Sequence, residues 1–286
     1  MPSCSVMGDA GPAAHMAGMK QVVAAIVIIL VSADLIRTAV RICRNPQHRR
    51  EYSETVRSLR WWMVPAGMAH LVAVGATAVA LLTLVPPLRY GWWSLIGGSG
   101  NVLLGQTGNS GTLWRLVGIV LPLILVVVVP WLAHFEESTF RAGSENRSVP
   151  RRLAVQLGFG LIHCMVGVPL AVGIALTISG LYYERVYLTA MSRRRSAITE
   201  VLETPVLLGY GEDTWNAHTT LSDDSAVRSR EIVESWMHDL QSQVKSATAE
   251  VEALEQEAVT TAAAAHTVSN WLVLSVLLVS LSGLIT

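Results

Sequence analysis

The sequence predicts an all-α protein: a polytopic membrane bundle of about six helical spans with a cytoplasmic helical insertion. Three observations lead there. The 286 residues are 51% hydrophobic and only 15% charged, whereas a soluble domain carries about a quarter charged residues. The apolar residues are gathered into five long blocks, giving a mean hydropathy of +0.44. One segment, 192–258, stands apart as charged and without a long apolar run.

The elements follow in order. Residues 1–20 are small, polar and methionine-rich, an expected disordered N-terminus. The apolar run from Val22 to Val31 continues into helical sequence carrying Arg37 and Arg41, with no small-x-small cleavage site. It reads as a first membrane helix over 21–40, not a removed signal segment. Further blocks cover 62–85, 113–133 continuing to Arg141, 153–187 and 259–285. Each meets the ~20 residues needed to cross the hydrocarbon. The fourth block is too long for one ordinary span, and Gly167 and Pro169 in its middle predict a break into two short helices. The glycine-rich stretch 91–111 reads as a loop or a re-entrant element. The chain thus divides into N-terminal membrane helices over 21–130 and a membrane core over 131–285, interrupted by the 192–258 insertion.

Basic residues set the expected orientation. Arg41, Arg44, Arg49, Arg50, Arg57 and Arg60 fill the first loop, and Arg141, Arg147, Arg151 and Arg152 the third. Both loops are therefore expected on the cytoplasmic side, while the second, with only Arg89, is expected outside. Arg193, Arg194 and Arg195 return the end of the fourth block to the inside. Trp61, Trp62, Trp92, Trp93, Trp114 and Trp131 fall near span ends, where an interfacial aromatic belt belongs. Within the insertion, 225–260 reads as a long helix. Its stripe of Ile232, Trp236, Leu240, Val244, Val251 and Leu254 is equally suited to this chain, a second copy or a substrate.

Several function classes drop out. The formal net charge is zero, so no basic surface points to nucleic acid. Cys4, Cys43 and Cys164 are scattered and form no disulfide or zinc framework. The phosphate-loop look of the segment from Gly100 to Thr107 fails at Gln106, which replaces the required lysine. The glycosylation pattern at Asn146 lies in a loop expected to be cytoplasmic. There is no HExxH.

Three polar motifs inside apolar sequence carry the chemistry. Glu137 and Arg141 are four apart on a helix and share a face, leaving Glu136 rotated by about 100°. Phe159 and His163 are likewise four apart in the next apolar helix, and His266 and Asn270 in the last. Each alone has a bland reading: a solvated helix end, a hydrogen-bonded core histidine, an interhelical polar contact. Their matching depth from the cytoplasmic side argues for one shared site. A carboxylate and an imidazole can hold and deprotonate a water. A second histidine and an amide can donate to a developing oxyanion. Glu136, His163 and His266 could equally ligate zinc as a His2Glu set.

In these motifs the sequence resembles the CAAX prenyl protease and bacteriocin-processing (Abi) membrane proteins. Their EExxxR, FxxxH and HxxxN patterns stand here, in order, as Glu136-Glu137…Arg141, Phe159…His163 and His266…Asn270. The segment from Gly180 to Arg185 is similar to the helix that follows FxxxH in that family, and the resemblance covers about 131–285. It implies an intramembrane endopeptidase of the cell membrane with its site toward the cytoplasm. Glu136 would be the general base on water and His163 its assistant. His266 and Asn270 would form the oxyanion hole, with Glu137, Arg141 and Phe159 in support. Two departures stand out. Ala142 follows Arg141 where the family has glycine, and the 192–258 insertion separates His266 from the other motifs.

The expected partners are a membrane-associated protein or peptide substrate and the bilayer itself, with self-association through the 225–260 helix. A non-catalytic scaffold or bacteriocin-immunity protein of the same fold is the alternative. A proton-coupled transporter is a third, less suited to a chain without an evident internal repeat.

Overall fold

A computed structural model of the chain describes residues 12–91, 112–202 and 224–282. Among these residues the protein is all helical, without a strand. Helix α1 spans Pro12–Arg44 and α2 spans Pro46–Arg57. Helix α3 is Met63–Leu84 and α4 is Thr112–Phe140. Then come α5, Val149–Ile162, and the short α6, Leu170–Ala175. Finally, α7 covers Thr177–Leu202 and α8 covers Asp224–Ser282. Three stretches are long and apolar enough to cross a membrane: Met63–Leu84, Leu116–Asn146 and Val244–Ser280.

Of the about six spans expected, three are apparent among the described residues, and the other departures are local. Helix α1 runs back to Pro12, into the N-terminal stretch expected to be disordered, while residues 1–11 lie outside the described residues. The glycine-rich 92–111 stretch and residues 203–223 of the insertion also lie outside them. The insertion helix and the last apolar block are one continuous helix of 59 residues, about 88 Å at 1.5 Å per residue.

Local chemistry explains the ends. Asn45 caps α2, its side-chain oxygen accepting from the Gln47 N–H at 2.9 Å, with Pro46 in the first turn. Helix α4 stops where Gly143 adopts φ 70°, and the Arg147 guanidinium donates to the freed carbonyls of Phe140 and Ala142 at 2.7 and 2.8 Å. Inside α4, Pro130 has no N–H for the carbonyl of Val126. The indole of Trp271 on α8 donates to that oxygen at 2.9 Å, so a backbone defect becomes an interhelical tie.

The fourth apolar block breaks where Gly167 and Pro169 require. The chain tightens into a 3-10 turn over His163–Val166, Gly167 takes φ 95°, and Pro169 precedes α6. Helix α5 is 14 residues long, about 21 Å, which is less than the ~30 Å hydrocarbon thickness. Helices α6 and α7 fold back along it. Gly160 lies against the Gly173 carbonyl and Thr177, and Gly180 against the Gln156 side chain. The block therefore starts and ends at the same end of the bundle. There the Ser144 hydroxyl donates to Glu184 and the Tyr187 hydroxyl to Glu145. Helix α8 lies at the centre, packed on α4, α7, α3 and α2. Its run from Ala262 to Ala265 is fully buried, letting those backbones approach.

The close approach at Gly160 is testable. Gly160→Ala would drive a methyl into the Gly173 carbonyl and the Thr177 backbone, so a loss of ~1–3 kcal/mol is expected from thermal unfolding in detergent. Gly158→Ala, in open space on the same helix, should leave stability unchanged or raise it by ~0.5–1 kcal/mol.

Candidate functional site

Glu137 and Arg141 lie one turn apart near the end of α4, both fully buried. Arg141 Nε stands 3.1 Å from Glu137 Oε2. Its Nη2 donates to the carbonyl of Gly180 on α7 at 3.4 Å, and its guanidinium lies 4.0 Å over the Phe159 ring of α5. Phe159, itself buried, thus adds a cation–π face to the buried guanidinium that Glu137 neutralises.

The other oxygen of Glu137 reaches α8. His266 Nδ1 donates to Glu137 Oε1 at 2.8 Å. His266 Nε2 is then turned toward Glu136, whose Oε2 lies 3.8 Å away. That separation is too long for a direct hydrogen bond and short enough for one water to touch both groups. Glu136 keeps 32% of its side-chain surface exposed, whereas Glu137 keeps none. Adjacent carboxylates are thereby given different surroundings: one is locked by an arginine and a histidine, while the other is partly exposed and turns a buried Oε2, without a hydrogen-bond partner, toward the imidazole.

His163 is half-buried where α5 tightens into the 3-10 turn, at the helix end and not within a longer helix as its sequence context suggested. Its Nδ1 donates to the Phe159 carbonyl at 2.8 Å, leaving Nε2 with a lone pair. The Phe159 ring lies between the histidines, its centroid 5.0 Å from His163 and 5.9 Å from His266. Asn270 is half-buried one turn beyond His266, and no hydrogen bond ties it to Glu136, Glu137 or His163. The zinc alternative is not assembled: among the described residues no three His, Cys, Asp or Glu side chains could share a metal ion. The 192–258 insertion does not displace His266, which bonds Glu137 at 2.8 Å.

No family profile, curated protein or solved structure matches the chain.

The sequence motifs missed two members of this neighbourhood. Tyr183 on α7 stacks on His266, with centroids 4.3 Å apart and planes at 20°. His70 on α3 meets Tyr183 edge-on at 5.5 Å. Tyr183 could have been suspected from the resemblance of its segment, whereas His70, a lone histidine in an apolar helix, gives no spacing signal. A groove of about 390 Å³ opens nearby between the α2–α3 corner and α8. Its walls include Leu59, Trp61, Val268 and Leu272, with Arg60 at its polar edge. Leu59, Val268 and Leu272 pack from behind on the cluster that holds Phe159 and Tyr183.

Glu137→Ala would leave Arg141 buried without its counter-charge, and a loss of about 3–5 kcal/mol is expected from denaturant unfolding in mixed micelles. Replacing both, as Glu137→Gln with Arg141→Met, should recover much of that loss, because the amide still accepts from His266 and no charge is stranded.

Proposed function

We propose that the chain is an intramembrane endopeptidase of the CAAX-protease kind, hydrolysing a peptide bond near the membrane with a Glu/His-activated water. The observation that carries this reading is the single cluster on α4, α5 and α8, where Glu136 stands 3.8 Å from His266 Nε2. Two motifs far apart in sequence meet there, and Phe159 links them to the third.

Each role follows from what its neighbours leave free. Glu136 is the general base, the only carboxylate of the pair not held by Arg141. His163 assists through Nε2, since Nδ1 is committed to a backbone carbonyl. His266 has Nδ1 committed to Glu137, so only Nε2 can address a substrate. With a proton on Nε2 it donates to an oxyanion; without one it holds the attacking water. Asn270 supplies an amide donor on the same helix face. The water adds to the scissile carbonyl, its proton passes to Glu136, and the same carboxylic acid then protonates the departing amine.

The groove beside the site favours a substrate that arrives partly from the bilayer. The proposed topology keeps about six crossings, with α5 and the returning α6–α7 arm as a short pair. Arg57, Arg60, Arg147, Arg151 and Arg152 flank the site end of the bundle, which favours the cytoplasmic side.

One observation favours the second reading, a non-catalytic scaffold or bacteriocin-immunity protein. On α8, Met237, Val244 and Val251 are 45%, 59% and 55% exposed at seven-residue intervals, the spacing of a coiled-coil seam. A second copy paired along this seam is the self-association that fits it.

Two experiments separate the readings. In liposomes, with a library of fluorogenic peptides carrying an apolar anchor, Glu136→Ala and His163→Ala should each reduce cleavage at least a hundredfold without loss of fold. Unchanged cleavage in both variants would sink the protease assignment, whereas harmlessness of Glu136→Ala beside damage from deleting 228–257 would favour the scaffold. Val244→Cys or Val251→Cys should give a disulfide-linked dimer on mild oxidation in membranes. A Cys placed at Ala264, deep in the bundle, should not.

A further inference from the structure

His70 is fully tied down although it belongs to none of the three motifs. Its Nδ1 donates to the Gly67 carbonyl at 3.1 Å and has Ser269 Oγ at 3.5 Å, so its Nε2 accepts from the Ser179 hydroxyl at 2.8 Å. The imidazole therefore joins its own helix α3 to α7 through Ser179 and to α8 through Ser269. Its ring stacks on Tyr182 at 4.7 Å and 11°, and meets Tyr183 edge-on at 5.5 Å and 64°. Tyr183 in turn lies flat on His266. The Ser269 hydroxyl also reaches the Tyr183 phenol. Gly67 makes this approach possible, since a Cβ there would stand 3.3 Å from Ser269 Oγ.

We infer that His70 is a positioning residue: it clamps Tyr183 against His266, so that the His266 ring points Nδ1 at Glu137 and Nε2 at Glu136. The argument rests on the proposed role of His266 in the site. An imidazole held only by one hydrogen bond can swivel about its Cβ–Cγ bond, and a flat neighbour at 4.3 Å removes that freedom. Tyr183 supplies that restraint only if its own neighbours hold it in place. His70 braces it edge-on at 5.5 Å, next to Tyr182 at 5.3 Å, and hydrogen bonds fix the orientation of the His70 ring.

Two chemical alternatives fit less well. The Ser179–His70 pair has the spacing of a nucleophile and its base, but both residues are buried among helices and the groove is lined by neither. A purely structural tie from α3 to α7 and α8 would explain the contacts to Ser179 and Ser269. It would leave the placement of both tyrosine rings without a purpose.

The test uses the full chain labelled with 15N-histidine in phosphatidylcholine–phosphatidylglycerol nanodiscs. The His266 ring signals are assigned by their loss in His266→Gln. In the unaltered protein, His266 should appear as one species protonated at Nδ1. In His70→Ala that species should split or shift, and cleavage of the peptide library should fall between about tenfold and a hundredfold in kcat with little change in KM. His70→Phe, which keeps a flat ring between the tyrosines, should restore a single His266 species. Val74→Ala, one turn along the same buried face of α3, provides the control for general loosening. An unshifted His266 in His70→Ala, or an equal shift in Val74→Ala, would overturn the inference. If Glu136→Ala still cleaves normally, the protease reading fails separately, and the 15N signature continues to report on the clamp.

Discussion

The bundle depends on one buried carboxylate. Glu137 has no exposed surface, yet it answers to a cation on its own helix and an imidazole on α8. A carboxylate taken out of water costs several kcal/mol unless its oxygens are paired and hydrogen-bonded. Here Oε1 accepts from His266 and Oε2 faces the Arg141 guanidinium as an ion pair, and the partners are themselves supported: Arg141 by the Gly180 carbonyl and the Phe159 ring, His266 by Tyr183. Four helices therefore contribute to solvating one charge. Such an arrangement fixes register between α4 and α8 more sharply than apolar packing would, because a shift of one turn strands two charges.

Small residues and broken backbones make that convergence possible. Arg141 reaches Gly180 across a surface where Gln156 occupies the space a side chain would need. Helix α5 ends early, which puts His163 at a helix terminus instead of mid-helix and turns its ring back onto Phe159. Pro130 frees a carbonyl that Trp271 takes up, adding a second polar tie between the helices that Glu137 joins. The Pro130 defect, which would be costly in lipid, is thus matched by a donor from a neighbouring helix.

Much of this was legible in the sequence, for physical reasons that differ between residues. The Glu137–Arg141 pair follows from helical spacing alone, and Gly167 with Pro169 marks the break because glycine readily takes a positive φ and proline lacks the N–H a continuing helix would use. The sequence predicts the 225–260 helix leading into the last span, and α8 runs unbroken through both. A polarity change at about residue 258 looks like a boundary, but a helix needs only hydrogen bonds along its own axis and crosses from polar to apolar surroundings without interruption. His70 was hidden: its partners Ser179 and Ser269 lie on other helices, and only tertiary packing pairs them. His266 looked vulnerable to the long insertion. Loop length matters little once both flanking segments are anchored, since closure entropy grows only with the logarithm of length.

The continuity of α8 also links the two surfaces that matter most. At 100° per residue, Val251 and Val244 lie about 60° and 40° around the helix from His266. They therefore occupy the same broad face, which the bundle buries from Ala258 onward and leaves bare before it. A partner seated on the bare stretch would grip the helix by the face that carries His266. Because an α-helix resists twisting along its length, a rotation imposed at Val244 is passed toward Ala262. There the flanking alanines leave no slack, and the His266–Glu137 bond either holds the register or yields to it. The insertion is thus mechanically continuous with the site, whichever molecule it meets.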